Sequence, residues 1–252
     1  MSLISNKKTR ALIIIMGALV LCGFIISHYY YKVVNASVDP RIVSARMLYE
    51  KYNLFAQQNK LDSIFWLMDT IESIYAKVEH YENSFEVGVL YNNRAAACLS
   101  LSMNENKISV RDSLLKVADY STNKSITIYE NWYKTYEGKS KQELKVVLAK
   151  DFLKGLEGYD DEDRQKFLKK RTQEIIEAQA ETKRRLSVSY TNLGLVYRQQ
   201  LKYEDAALSY EKALENWDRN LTAENNLNKL LGRPEKKRNL IQKLFPPERV
   251  QN

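Results

Sequence analysis

Structural punctuation is nearly missing from this chain: its 252 residues hold only 8 glycines and 4 prolines. Between those breaks run long stretches of Leu, Ala, Lys, Glu and Gln, all good helix formers, so the turns of a multi-stranded sheet cannot be placed. The spacing predicts an all-α chain. With 28% charged residues and a mean hydropathy of -0.47, most of it belongs to a body that folds in water. The length suits one sizeable helical domain or two small ones.

The N-terminus departs from that composition. Ala11 to Ser27 (ALIIIMGALVLCGFIIS) carries no charged side chain, and the uncharged run continues through His28, Tyr29, Tyr30 and Tyr31 to Lys32. As a helix, residues 11–31 would reach about 31 Å, close to the hydrocarbon thickness of a bilayer. Lys7, Lys8 and Arg10 stand just before the run, and positive charge kept inside predicts a single-pass protein of the cytoplasmic (inner) membrane. Its tail (1–10) faces the cytoplasm, residues 11–31 form the transmembrane anchor, and the body lies outside, periplasmic or extracytoplasmic. A signal peptide cleaved after Ala36 is the rival reading, but the stretch from Ile26 to Ala36 is long and bulky for a cleavage region. Lipid attachment at Cys22 is weaker still, because Leu21 occupies the position that should be small.

Charge and cysteine narrow the partners. Lys7, Lys8 and Arg10 supply three units of the net +8, leaving 36 basic against 31 acidic residues. These are interleaved along the body, as on solvated helix faces, so no nucleic-acid partner is expected. Cys22 sits in the apolar run and Cys98 in the body, which rules out a disulfide framework.

Beyond Asp39-Pro40, helical periodicity predicts helices over 41–58 (Met47, Leu48 and Phe55 inward) and 61–80 (Ile64, Leu67, Met68, Ile71, Ile74 and Tyr75 inward), joined too tightly for anything but an antiparallel hairpin. Helices from Phe85 to Met103 and from Val110 to about Trp132 make a second pair. Gly138, Gly155 and Gly158 then punctuate a different region, in which Asp160, Asp161, Glu162 and Asp163 open another long helix with carboxylates at its positive end. Glu177 to Arg185 is polar apart from alanines, a segment expected to project into solvent or touch a partner.

The most informative residues are Ser187 to Asn220, SVSYTNLGLVYRQQLKYEDAALSYEKALENWDRN. Tyr190, Leu193, Gly194 and Tyr197 mark a first helix, and Ala206, Tyr210 and Ala213 a second. This segment resembles a tetratricopeptide repeat, with Asp218 standing where that family usually has proline. The resemblance implies that Gly194, Ala206 and Ala213 let two backbones approach while the aromatic rings fill the margins, so these seven residues form a repeat core. A second, partial copy begins at Leu221. Asn226, Leu227 and Leu231 stand 34 residues after Asn192, Leu193 and Tyr197, a second helix is expected from Glu235 to Phe245, and Pro246 and Pro247 end the fold as a C-terminal cap. Upstream, Tyr91-Asn92-Asn93-Arg94-Ala95 echoes Tyr190 to Gly194, with Ala118 and Ser125 as its small residues.

The expected organisation is thus an N-terminal transmembrane helix followed by an α-solenoid of tetratricopeptide-like hairpins. It comprises degenerate hairpins over 32–136, a helical insertion over 137–186, the clear repeat over 187–220 and a partial repeat with cap over 221–252. In such arrays first-helix residues line an inner groove that takes a peptide or partner helix. The resemblance places Val188, Thr191, Leu195 and Arg198 there, with Asn92, Ala96 and Leu99, then Asn225 and Lys229, from neighbouring units. Thr191 and Leu195 depart from the Lys and Asn pattern with which the family clamps a free carboxylate. Packing of several of these residues against a following helix is the plainer alternative.

Enzymatic chemistry finds little support. The two histidines, His28 and His80, cannot make a triad or a His-rich metal site, and Gly-rich phosphate loops and Cys-x-x-Cys pairs are lacking. No catalytic residue, cofactor, metal or small-molecule substrate is expected. The leading expectation is a membrane-anchored scaffold or adaptor that binds protein partners in an envelope complex for secretion, transport or cell-wall assembly. An envelope enzyme or enzyme subunit, and a basic protein touching nucleic acid or anionic lipid, are the alternatives.

Overall fold

Gly138, Gly155, Gly158 and Gly232 fall between or just after helices, whereas Gly88 and Gly194 lie inside them. A computed structural model describes residues 13–25, 27, 37–239, 241, 242 and 246. The fold is all-α, with no strand among the described residues. Residues 13–25 are helical and exposed, but among the described residues no helix is long and apolar enough to cross a membrane. The rest of the span expected over 11–31, and the cleavage position Ala36, lie outside the described residues.

The body begins at Asp39, whose carboxylate accepts from the Arg41 backbone and caps the short 3-10 turn Pro40–Ile42. Two helices follow, α1 (Val43–Gln57) and α2 (Leu61–Tyr75). The inward face of α2 matches expectation, with Ile64, Leu67, Met68, Ile71 and Tyr75 buried. On α1 the buried positions are Ala45 and Tyr52, whereas Met47 is 65% exposed. Helix α2 ends at Tyr75, short of residue 80, and a 3-10 turn, Glu79–Tyr81, leads on. Helices α3 (Phe85–Asn104) and α4 (Ile108–Tyr136) then pack along each other.

Helix α5 (Lys141–Asp151) starts at a full capping box, in which Ser140 Oγ and the Glu143 carboxylate satisfy each other's backbone N–H groups. Helix α6 (Asp161–Gln199) is capped by Asp160 and continues unbroken through the 186/187 boundary drawn from sequence. Its polar stretch from Glu177 to Arg185 is not free in solvent: Thr182 is fully buried, and Gln179 Nε2 donates to the Tyr136 carbonyl. Helices α7 (Tyr203–Asn216) and α8 (Leu221–Leu230) follow. Gly232, with φ of +68°, terminates α8 in a conformation that side chains resist.

The helix expected from Glu235 to Phe245 does not form over residues 233–239. Asn225 explains the departure: its Oδ1 accepts from the Lys236 N–H (2.8 Å) and its Nδ2 donates to the Lys236 carbonyl (2.9 Å), a carbonyl that a helix would use internally.

Two hairpins turn by the same device. In Gln58-Asn59-Lys60 and Gln200-Leu201-Lys202 the middle residue has positive φ, 54° and 62°. The Lys N–H then reaches back to Phe55 O (3.0 Å) or Tyr197 O (2.9 Å), a Schellman closure. Each ammonium also sits over the same ring it reaches past, Lys60 over Phe55 at 4.9 Å and Lys202 over Tyr197 at 5.6 Å. Ile64, Met68 and Ile71 stand as far beyond Lys60 as Ala206, Tyr210 and Ala213 stand beyond Lys202, and all six are buried.

Candidate functional site

Six of the seven residues singled out in 187–220 meet between α6 and α7. Ala206, Tyr210 and Ala213 on α7 are fully buried, and Tyr190 and Tyr197 on α6 flank them half-buried. A methyl group on Gly194 would overlap the Tyr210 ring, with Cδ1 2.7 Å away. Leu193 is buried on the other side of α6, against Val89, Ile126 and Tyr129. The α3–α4 pair repeats this contact with residues that sequence reasoning did not single out. There, Gly88 lies 2.7 Å, from where its Cβ would be, to Tyr129 Cε1. Ala118 and Ser125, expected as small residues of that pair, are fully buried.

The residues expected to line a groove divide. Asn92 is buried at the junction of three helices, where its Oδ1 accepts from Ser189 Oγ (3.1 Å) and Asn192 Nδ2 (3.0 Å). Ser189 Oγ in turn lies 3.0 Å from Ser125 Oγ. Thr191 is buried too, its hydroxyl taking a bond from Asn220 Nδ2 at 3.0 Å. Leu99 and Leu195 join the apolar cluster of Cys98, Leu115, Ala118 and Val196. These four positions hold helices together, so the packing alternative describes them better than the groove does. Val188 is half-buried and Ala96 exposed.

Arg198, Asn225 and Lys229 behave differently. With Thr222, Asn226 and Glu235 they line one open concavity of about 320 Å³ at the end of α6 and along α8. Arg198 Nη1 donates to Asn226 Oδ1 at 2.7 Å, which fixes the guanidinium at its edge. Lys229 is exposed, and the hold of Asn225 on Lys236 keeps the segment after α8 folded back as one wall. The surface is polar, with cations at Arg198 and Lys229 and one carboxylate at Glu235, suited to hydrogen-bonding the backbone of a chain laid across it.

A second feature, invisible in the sequence, is a buried ion cluster joining α3 to α6. Arg171 has a side chain only 3% exposed, and its Nη1 lies 2.5 Å from Glu86 Oε1 and 3.5 Å from Glu174 Oε2. Its Nε donates to His80 Nε2 (3.2 Å), and its guanidinium lies 4.4 Å from the centre of the Tyr81 ring. Although burial opposes the charge, the adjacent Arg171 holds the Glu86 carboxyl down to about 2. Burial first, then the Arg171 charge, lowers His80 to about 3, so its ring is neutral and accepts from the arginine. Arg46 of α1 closes the far side on Glu174 at 2.7 Å. An adjoining cleft of about 380 Å³ is walled by Tyr49, Tyr75, Phe85 and Val89 with Arg46 and Arg185. Every charge in the triad of Arg171, Glu86 and Glu174 has a partner, so this cluster fixes how α3 and, through Arg46, α1 seat on α6. Among the described residues no group of three or more His, Cys, Asp or Glu side chains is arranged to hold a metal ion.

No family model, no curated protein and no solved structure matches this chain.

Proposed function

We propose that this chain is a membrane-anchored scaffold whose helical hairpins, of tetratricopeptide type, present a partner-binding surface outside the cytoplasmic membrane. The observation that carries the reading is the convergence of Arg198, Asn225 and Lys229 on one concavity beside the tightly packed α6–α7 pair. A rigid pair with an open, polar, cationic rim suits holding an extended peptide or partner helix. The shared turn of residues 58–60 and 200–202 supports a chain built from related hairpins, and the uncharged run from 11 to 31 behind three basic residues supports the anchor.

The test is affinity capture of the full chain from detergent-solubilised membranes, beside an anchor-deleted chain and the variant Arg198→Ala/Lys229→Ala. One set of proteins captured by the full chain and depleted at least tenfold by the double variant supports the reading. Identical captures from wild type and variant sink it. A protease-accessible C-terminus in sealed right-side-out vesicles is the expected topology.

A further inference from the structure

A different surface, away from that concavity, carries the next inference. Helices α5 and α6 flank an open cleft of about 620 Å³ lined by Lys141, Lys145, Lys166 and Lys169, with Glu162 as its one carboxylate among the described residues. Glu162 is already engaged by Lys166 at 2.9 Å. Among the described residues, no carboxylate lies within 4.0 Å of the ammonium groups of Lys141, Lys145 or Lys169. The neighbouring acids of α6 are internally spent: Asp160 caps the helix, Asp161 pairs with Arg164 at 3.0 Å and Asp163 with Lys166 at 3.2 Å. Four lysines against one carboxylate give the cleft a positive potential that favours an anion.

The start of the body supplies a second, independent observation. Arg41 is stapled to the end of α5, its Nη1 donating to Lys154 O at 2.5 Å and its Nη2 to Phe152 O at 2.9 Å. Residues 32–38 alone separate the apolar run from Asp39, and seven extended residues reach at most about 25 Å. If residues 11–31 span the bilayer, the end of α5 that Arg41 touches is therefore tethered within that reach of its surface, and Lys141 lies one 11-residue helix, about 16 Å, further along. The outward side of α5 also presents Val146, 57% exposed, next to Lys145, the pairing of apolar and basic side chains that suits a bilayer interface.

We propose that the lysine cleft between α5 and α6 docks the phosphate groups of anionic phospholipids in the leaflet from which the chain emerges. This rests on the anchor reading, and the experiment separates the two. The full chain is placed in nanodiscs of phosphatidylglycerol or of phosphatidylcholine, and an amine-reactive reagent is timed at each lysine by mass spectrometry. Lys116, exposed on α4, is the internal reference.

Docking predicts that Lys141, Lys145 and Lys169 react about fivefold more slowly in phosphatidylglycerol discs, each lysine near an anionic surface gaining on the order of that factor. High salt should abolish the difference. In the variant Lys141→Gln/Lys145→Gln/Lys169→Gln, whose fold is checked by circular dichroism, Lys166 should react equally in both lipids. Entry into both discs with equal labelling overturns the docking and leaves the anchor intact. Failure to enter either disc refutes the anchor and the docking with it. Protection by added tripolyphosphate in phosphatidylcholine discs, without protection by phosphatidylglycerol, assigns the cleft to a soluble polyanion and overturns the lipid.

Discussion

The ring of Tyr210 fills the space where a side chain on Gly194 would stand, its Cδ1 2.7 Å from the position a Cβ would take. Both residues belong to the interior of the α6–α7 pair, so the fit leaves neither helix room to yield. Gly194→Ala is expected to cost about 1–3 kcal/mol of stability by overpacking, despite the better helix propensity of alanine. Adding Tyr210→Leu should return part of that loss, since the smaller side chain removes the clash. Chemical denaturation of the three variants measures the coupling, and simple additivity of the two losses would refute the contact.

Arg171 is the keystone of the ion cluster. Replacing it with Met leaves the part-buried Glu86 facing Glu174 with only Arg46 nearby as a cation, and the expected loss is about 3 kcal/mol, the low end for a broken buried pair. Arg171→Met combined with Glu86→Gln should be less damaging than Arg171→Met alone, because the orphaned charge is gone. Urea midpoints at neutral pH decide between these orders.

Acid should act through His80 before it acts through the carboxylates. Its folded-state value is lowered to about 3, while the unfolded ring titrates near its usual ~6.5. The unfolded chain thus binds the extra proton below about 6.5, and stability contributed by the neutral ring is present above that pH and drains away towards 3. The slope should approach ~1.4 kcal/mol per pH unit between pH 6 and 4. Glu86, lowered to about 2, adds a second loss in the same direction below pH 4.5. His80→Gln, which keeps a neutral acceptor, should flatten the upper part of the profile; an unchanged profile would remove His80 as the cause.

Asn225 holds the wall of the cationic concavity by its two bonds to Lys236. Asn225→Ala should release residues 233–239 without unfolding α6 and α7, at a cost of ~1 kcal/mol. Limited trypsin digestion should then cut after Arg233, Lys236 or Lys237 several-fold faster, with the rest of the chain as resistant as before.

How much of this was readable in advance depends on the range over which residues meet. Gly194, Ala206, Tyr210 and Ala213 lie within one hairpin, so side-chain size at helical spacing was enough to find their packing. Gly88 and Tyr129 make the same contact across 41 positions, on the two longer arms of the α3–α4 hairpin, and no fixed period marks them. The matching Phe55-x-Gln-Gln-x-Lys60 and Tyr197-x-Gln-Gln-x-Lys202 segments were present in the sequence as a signal, but their common meaning lies in a backbone turn. Asn92 and Thr191 were misplaced because a polar side chain on a first helix looks alike whether it faces a groove or a buried hydrogen-bond partner. The ion cluster could not be foreseen, since His80 and Arg171 are 91 residues apart.

Helix α6 bears on both surfaces, and its continuity from Asp161 to Gln199 has a mechanical consequence. Lys169 and Arg198 ride on one rod, about 44 Å apart at 1.5 Å per residue. A ligand gripped at one end would set the height and heading of the other, so under the proposed readings a partner near Arg198 would keep a fixed stand-off from a surface at Lys169.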